Sequence, residues 1–134
     1  MASEQIIVPI NRDSDIVDAR QKGRQLASQI GLSGSDLTLL ATAISEIARN
    51  IVVYAQRGEM ALGIIERAGK RGVVVVARDQ GPGIPDIEQA MRDGYSTGRS
   101  LGLGLPGAKR LVDEFEIVSD VGKGTTVTMR KWKF

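Results

Sequence analysis

The sequence predicts an α+β fold, a two-layer α/β sandwich in which helices pack on a sheet. Helical and strand patterns come in blocks, in the order βααββααββ, and neighbouring strands are joined by links of hairpin length. A doubly wound sheet would instead alternate single strands with helices. The 134 residues are expected to form a single domain over 1–134.

The first strand and the first helix are indicated by an apolar run and by capping residues. Residues 5–10 form a short apolar run typical of a strand, and the polar residues 11–14 can supply a helix N-cap. The helix is expected to reach about Ile30, with Gly31 as the left-handed residue that ends it. Its predicted apolar side consists of Val17, Ala27 and Ile30.

The second helix has the strongest periodicity in the chain. It starts at the polar residues 33–36 and is expected to end at Gly58. Its apolar residues recur at about 100° per residue and fall on one arc, which predicts a helix that faces the core. The residues of this arc are Leu37, Leu40, Ala41, Ile44, Ile47, Ala48, Ile51 and Tyr54.

The rest of the chain is predicted to contain two hairpins with two helices between them. The first hairpin joins residues 60–67 to 72–79 through a four-residue turn, and the four valines at 73–76 are typical of a central strand. The segments predicted after it are a short helix at 85–93, a glycine-rich loop at 94–103, a helix at 104–114, and strands at 115–119 and 125–132.

The composition excludes several kinds of chemistry. The chain has no histidine, which rules out a histidine base, a histidine metal ligand and a phosphohistidine intermediate. It also has no cysteine, so disulfides and thiolate catalysis are excluded, which fits a reducing cytoplasm. Proton transfer must therefore be carried by Asp, Glu, Lys or Tyr.

Charge and hydropathy argue against two classes of partner. The net charge is only +2, without a long basic block, which does not favour nucleic acid. No apolar stretch approaches the roughly 18 residues of a membrane span, and the N-terminus lacks the pattern of a signal peptide. We therefore expect a cytoplasmic protein that binds neither nucleic acid nor a membrane.

Glu46, Arg49 and Asn50 are the first candidate site residues. Glu46 and Asn50 are four residues apart and share a helix face, with Arg49 about a quarter-turn from Glu46. The side-chain oxygen of Asn50 suits Mg²⁺, and Glu46 could accept a proton from an attacking hydroxyl or orient it. The alternative is that the three residues form a solvated helix face.

Asp79 begins a loop with Gly81 and Gly83 after an apolar strand. Its carboxylate could accept a hydrogen bond from an exocyclic amino group such as that of adenine, and the two glycines would let the backbone approach a ligand. The alternative is an ordinary turn, because Asp, Gly and Pro are turn residues.

A second glycine-rich segment, with Gly98, Gly102 and Gly104, precedes a predicted helix whose N-terminus could bind phosphate. A flexible loop is the alternative. The segment lacks the Walker pattern, and the chain lacks the signatures of eukaryotic-type kinases. Thr125 could reach a bound base with its hydroxyl, or could simply begin a strand.

Together and in this order, these residues resemble the GHKL (Bergerat-fold) ATP-binding family. The resemblance implies helices on one face of a mixed, mainly antiparallel sheet, and it implies ATP and Mg²⁺ as cofactors. The matching segments are Glu46 and Asn50 for the N box, residues 79–83 for the G1 box, residues 101–104 for the G2 region, and Gly124 with Thr125 for the last motif.

The resemblance also implies a role for each candidate residue. Glu46 would be the catalytic residue, Asn50 the Mg²⁺ ligand, and Arg49 a contact for phosphate or partner. The nucleotide-binding residues would be Asp79, Gly81, Gly83, Gly102, Gly104 and Thr125.

Within this family, the chain is similar to the serine/threonine switch kinases of bacterial stressosomes over residues 14–132. This similarity implies phosphorylation of STAS-domain scaffold or antagonist proteins, followed by binding and activation of a PP2C-type phosphatase. Histidine kinases of the same fold need an acceptor histidine, which this chain lacks. The similar segments are residues 15–20, 45–51, 80–86 and 104–107.

Three alternatives to this function stay open. One is an anti-sigma factor kinase of the same fold. Another is a nucleotide-gated protein-binding module, in which the glycine-rich segment between residues 83 and 102 switches between order and disorder. The third is a structural α/β domain that binds no nucleotide.

Overall fold

A computed structural model, which describes residues 5–83, 91 and 104–134, confirms the α+β architecture. In this part of the chain, five strands form one sheet and three helices pack on it. The helix predicted at 85–93 and the loop at 94–103 lie almost wholly outside the described residues. The elements are β1 (Ile6–Ile10), α1 (Asp13–Gln29), α2 (Gly34–Asn50), β2 (Gly58–Arg67), β3 (Lys70–Asp79), α3 (Gly104–Leu111), β4 (Glu114–Asp120) and β5 (Gly124–Trp132).

The sheet has the strand order β1-β2-β3-β5-β4 and is antiparallel at every described pairing. The sequence predicts a mixed, mainly antiparallel sheet, and among the described strands no parallel pair occurs. β3 lies in the middle, as its run of valines predicts. Its alternate residues Val73, Val75 and Ala77 belong to the core cluster that the helices cover.

α2 is the central helix of the core, because it packs against both α1 and α3. Leu40, Ile44 and Ile47 are almost completely buried, in one cluster with strand residues such as Met60. Burial of an apolar side chain of this size contributes about 1.5–3 kcal/mol. The apolar arc predicted for the second helix is therefore confirmed as far as Ile51.

Two apolar positions of the helices differ from the prediction. Val17 is 41% exposed, and the neighbouring Ile16 is buried instead. The phase of α1 is set by Gly23, where an added Cβ would collide with the side chain of Ile44 on α2. Tyr54 is 52% exposed, because the helix changes its winding before it. A sequence period identifies a face only while the helix keeps 3.6 residues per turn.

The end of the second helix is wound as a π-helix over Ile51–Ala55. The Gln56 N–H donates to the Ile51 carbonyl over 2.7 Å, and Gln56 has a left-handed φ of 71°. The prediction that Gly58 ends the helix was wrong, since Gly58 is the first residue of β2. A glycine is needed there because a Cβ would collide with the Arg78 carbonyl oxygen.

The other connections are close to those predicted. Ala68 and Gly69 join β2 to β3 with φ of 53° and 81°, as a two-residue type I′ hairpin requires. The turn is shorter than predicted because the strands pair up to these two residues. Gly31 follows α1 with φ 87°, as predicted. α3 ends at Leu111, three residues before the end that the sequence predicts for this helix. Glu114, the predicted last residue of the helix, is the first residue of β4.

One helical stretch, Gly34–Ala55, is long and apolar enough to cross a membrane by length and composition alone. The expectation that no apolar stretch approaches the length of a membrane span is therefore corrected for this helix. The stretch is α2 with its π-helical end, and 50% of its apolar window is buried inside the fold. Its apolar character is accounted for by its place in the core.

Glu114 joins three strands at one end of the sheet. Its Oε2 accepts hydrogen bonds from Trp132 Nε1 and from Arg67 Nη1, each over 2.7 Å, and its Oε1 accepts one from Arg130 Nη1 over 3.3 Å. Arg67 also lies over the Trp132 ring, 4.8 Å from its centre. The hydrogen bonds from Trp132 and then Arg67 lower the pKa of Glu114 from its ordinary value of 4.5.

Replacing Glu114 by glutamine should make the protein less stable at neutral pH, and this loss should shrink in acid. A carboxyl group whose pKa is lower in the folded state stabilises the fold above its unfolded pKa, and this contribution is lost as the pH falls through the folded pKa. The free energy of unfolding in urea, measured from pH 7 to below the ordinary pKa of 4.5, checks this. Glu116→Gln is the control, because this exposed residue has one 3.3 Å contact with Arg130. A difference between wild type and Glu114→Gln that stays constant with pH would contradict the prediction.

Candidate functional site

Glu46 lies on a side of α2 that the fold covers. Only 7% of its surface is exposed, and its neighbours Ser45 and Ile47 are also buried. The Arg49 side chain is 45% exposed, and its Nη1 lies 3.5 Å from Glu46 Oε1. The solvated-face alternative is therefore wrong for Glu46. A carboxylate in such a place costs free energy, which one long ion pair offsets only in part.

Asn50 lies one turn after Glu46, where α2 passes into the π-helical segment. It is half-buried, and the described residues give its side-chain amide no hydrogen-bond partner. Single π-helical turns inside helices are frequent at functional sites. The end of α2 thus offers a buried carboxylate and an amide oxygen that is open to a ligand.

The π-helical segment brings the end of α2 against the loop that follows β3. A Cβ on Gly81 would lie 2.7 Å from Ala55 Cβ, and one on Gly58 would lie 2.9 Å from Ile51 Cγ2 and 3.1 Å from Asp79 Cβ. Both glycines therefore permit contacts that a side chain would prevent. The helix that carries Glu46 and Asn50 and the strand that carries Asp79 meet in one region.

Asp79 is the last residue of β3 and is half-buried. Its Oδ1 accepts a hydrogen bond from the Gly81 N–H over 2.9 Å, the usual role of Asp in a turn. Its Oδ2 has no protein partner among the described residues and can accept a further hydrogen bond. The turn alternative is thus correct for one oxygen and leaves the other available to a ligand.

Gly83 holds this loop against the turn between β4 and β5. It has φ 79°, and a Cβ at this position would lie 3.1 Å from Val121 Cα. Beside it, the Pro82 carbonyl accepts a hydrogen bond from the Gly122 N–H over 2.8 Å. These contacts explain why a glycine is needed. That Gly81 and Gly83 also let the backbone approach a ligand stays a prediction.

A row of polar residues crosses the sheet at the same end. Asp79 is opposite Thr125 in the register of β3 and β5, and Thr125 is opposite Ser119 in that of β5 and β4. Thr125 Oγ1 and Ser119 Oγ are 2.7 Å apart, and Ser119 Oγ donates to the Gly124 carbonyl over 3.1 Å. The fold therefore places two of the predicted site residues, Asp79 and Thr125, side by side.

Ser119 is a residue of this region that the motifs do not indicate. The signal is in the alternation of β4, where Phe115 and Ile117 pack on the core. The next residue on that face is Ser119, so a polar side chain stands where the pattern requires an apolar one. Ser119 therefore continues the polar row beside Thr125 where the core-facing side of β4 ends.

Gly104 begins α3 with a left-handed φ of 49°, and α3 packs on α2. The start of α3 therefore belongs to the helix layer that also carries Glu46. Gly98 and Gly102 lie outside the described residues. Phosphate binding by this glycine segment stays a prediction.

An open depression of about 480 Å³ adjoins Asp79. It is formed by the strand ends and the π-helical segment, and its lining includes Asn11, Arg57, Arg78 and Gln80. Glu59 lies there as well, so the lining carries two basic side chains, Arg57 and Arg78, and two acidic ones, Glu59 and Asp79.

The side chains present fit ATP together with Mg²⁺. The described residues hold no group of three or more His, Cys, Asp or Glu side chains that could bind a metal. Mg²⁺ in phosphoryl-transfer sites takes one or two protein oxygens and completes its shell with phosphates and water. The oxygen of Asn50 is of this kind, and Oδ2 of Asp79 suits the amino group of a base.

Comparison with known proteins agrees with this geometry. The profile of the histidine kinase-like ATPase domain matches residues 11–131. The chain is 48% identical to the serine/threonine-protein kinase RsbT of Bacillus subtilis (strain 168), over 97% of this chain and 98% of that protein. It is 31% identical to an anti-sigma F factor of Geobacillus stearothermophilus, over 84% of this chain and 81% of that protein.

Two solved structures share the fold. One contains the RsbU and RsbW domains of a Mycobacterium tuberculosis protein, with a TM-score of 0.61 and 23% identity, over 96% of this chain and 32% of that one. The other is the mycobacterial sensor histidine kinase MprB, with a TM-score of 0.57 and 15% identity, over 96% of both chains. The family resemblance is confirmed, and the chain belongs to the histidine kinase-like ATPase family of ATP-binding domains.

Proposed function

We propose that this protein transfers the γ-phosphoryl group of Mg-ATP to serine or threonine residues of STAS-domain proteins in a bacterial stress-signalling partner switch. The chain is a serine/threonine-protein kinase, the class of the relative to which it is 48% identical over 97% of its length. That similarity carries the proposal, and the buried Glu46 beside the open Asn50 supports it.

The base of ATP is assigned to the polar row at the end of the sheet. Asp79 would accept a hydrogen bond from the adenine amino group through its available Oδ2, and Thr125 lies beside it. Gly81 and Gly83 would hold the loop that covers the base.

The phosphate end of ATP is assigned to the helix layer. Asn50 would supply a side-chain oxygen to Mg²⁺, and Gly102 and Gly104 would offer backbone N–H groups to the phosphates at the start of α3. When bound, Mg²⁺ neutralises charge on the phosphates. Arg49, which is exposed, would contact a phosphate or the protein substrate.

Glu46 is assigned the role of base. It would accept the proton of the attacking serine or threonine hydroxyl, or orient that hydroxyl for attack. Its burial limits water around the reacting group, which favours transfer to a protein hydroxyl over hydrolysis.

The variant Glu46→Gln should lose phosphoryl transfer while it still binds ATP. The amide keeps the shape of the side chain but cannot accept the proton, and a general base contributes about 10²–10⁴-fold. Single-turnover transfer of labelled phosphate and calorimetric ATP binding measure the two effects separately. Glu66→Gln, at an exposed glutamate of β2, is the matched control. Transfer by Glu46→Gln at the wild-type rate would remove Glu46 from this role.

The variant Asp79→Asn should weaken ATP binding by about 1–3 kcal/mol, or about 5- to 150-fold in Kd. Asparagine can still accept the Gly81 N–H with its oxygen, but its NH₂ group would face the adenine amino group. Calorimetry with ATP measures the change, and Asp18→Asn, at an exposed aspartate of α1, is the control. Unchanged affinity would favour a domain that binds no nucleotide at this position.

The protein partners are proposed from the family of relatives. A STAS-domain scaffold or antagonist protein would be the substrate, and the released kinase would bind and activate a PP2C-type phosphatase in the cytoplasm. Transfer of label from Mg-ATP to a purified STAS-domain protein from the same genome tests the first part. Phosphatase activity with and without the kinase tests the second.

An anti-sigma factor kinase is the second candidate, because 31% identity to an anti-sigma F factor extends over 84% of the chain. Capture of sigma factors from the same genome distinguishes the two, since the stressosome kinase should bind none. A nucleotide-gated binding module is tested by partner affinity with ATP, with ADP and without nucleotide. Equal affinity in the three states would exclude gating.

A further inference from the structure

We propose that Arg49 exchanges partners when ATP binds: it holds the Glu46 carboxylate beforehand and turns to the γ-phosphate afterwards. By this exchange the site distinguishes ATP from ADP, and it releases its base only when a transferable phosphate is present. The inference rests on the proposed role of Glu46 as base and deepens it, because it names the group that holds the base before ATP binds.

The ion pair between Arg49 and Glu46 is loose. Its two atoms, Nη1 and Oε1, are 3.5 Å apart, whereas charge-assisted N–H···O bonds usually measure about 2.7–2.9 Å. The same two residue types meet over 2.7 Å elsewhere in this protein, between Arg67 and Glu114. The Arg49 side chain is 45% exposed and that of Glu46 only 8%, so the arginine can move while the carboxylate stays in place.

Arg49 has hydrogen-bonding capacity that this contact does not use. A guanidinium carries five N–H donors in a planar fork, and the contact with Glu46 involves a single nitrogen. Within the described part of the chain, Arg49 makes no other hydrogen bond or ion pair. The fork matches two oxygens of a phosphate at once, so a phosphate within reach is a stronger partner than the single oxygen of Glu46.

The proposed reaction brings the γ-phosphate within reach of Arg49. A base lies within hydrogen-bond distance of the hydroxyl it serves, and the attacking oxygen lies about 3–3.5 Å from phosphorus. The γ-phosphorus therefore comes within about 7 Å of the Glu46 carboxylate. Arg49 Nη1 already lies 3.5 Å from that carboxylate, so a small movement brings it to the γ-phosphate oxygens. The β-phosphate is one bridging oxygen further away, so ADP does not offer Arg49 the same partner.

The exchange also prepares Glu46 for its role. Once Arg49 has turned to the phosphate, the Glu46 carboxylate loses the one partner that the described residues give it. A buried carboxylate without a partner is costly, which favours a new hydrogen bond from the hydroxyl of the protein substrate. ATP binding and the orientation of that hydroxyl are thereby linked through one arginine.

The variant Arg49→Met should weaken binding of ATP on the order of tenfold, the worth of a hydrogen bond to a charged group, and should change ADP binding less than about twofold. Arg49→Lys keeps the charge and should lose less affinity for ATP. Calorimetry with ADP and with a non-hydrolysable β,γ-imido analogue of ATP, each with Mg²⁺, measures both constants. Arg24→Met, at an exposed arginine of α1, is the control for the loss of one positive charge.

A double-mutant cycle with Glu46→Gln tests the competition directly. This variant removes the charge that competes for Arg49, so it should bind the ATP analogue about threefold more tightly and ADP as before. In the Arg49→Met background, the same substitution should leave binding of the analogue unchanged. Simple repulsion between Glu46 and the phosphates would instead give the same gain in both backgrounds, so the cycle separates the two explanations.

Three results would overturn the proposal in variants whose thermal unfolding shows an intact fold. They are an equal loss of ATP and ADP affinity in Arg49→Met, no gain from Glu46→Gln in the wild-type background, and an equal gain in both backgrounds. Because the readout is binding alone, these results leave the proposed kinase activity untouched. Failure of the wild-type protein to bind ATP would overturn the nucleotide site itself, and this inference with it.

Discussion

The antiparallel pairing of β3 with β5 is the contact on which both the core and the candidate site depend. It sets Ala77 opposite Val127 in the core, and two residues further along it sets Asp79 opposite Thr125. A slip of β5 by one residue would turn its core residues to the other face of the sheet. The apolar rows under the helices and the polar row at the strand ends thus come from one register. The candidate site is the end of the core itself, which explains how short polar side chains are held in a fixed relation.

The closeness of the backbone segments around Asp79 accounts for most of the glycines in the motifs. At Gly81 a side chain would collide with the π-helical segment, and at Gly83 with the turn after β4. At Gly124, with φ 106°, a Cβ would lie 2.8 Å from Gln80 Cα. The glycines therefore bring three chain segments together around one carboxylate. The spacing of these glycines is explained by the internal packing of the chain without any ligand. The residue of this region that indicates a nucleotide is Asp79, through its side chain.

Much of the fold could be predicted from the sequence, and the exceptions have physical causes. The arc of apolar residues in α2 was correct because the helix is regular over Gly34–Asn50. The π-helical end was not predictable, because a change of winding leaves no period to detect and Gln56 took the left-handed position expected of a glycine. The phase of α1 depends on the contact of Gly23 with α2, which no local pattern contains.

In the candidate site, too, some features could be predicted from the sequence and others depend on packing. Asp79 and Thr125 could be placed together only once the strand register was known, although both were identified by their sequence context. The burial of Glu46 is a property of the layer around α2 and not of the helix, whose own pattern allowed a solvated face. Ser119 carries no motif and is recognisable only as a break in the alternation of β4. Motifs thus indicate which residues can contact a nucleotide, whereas the packing decides which of their atoms remain available for it.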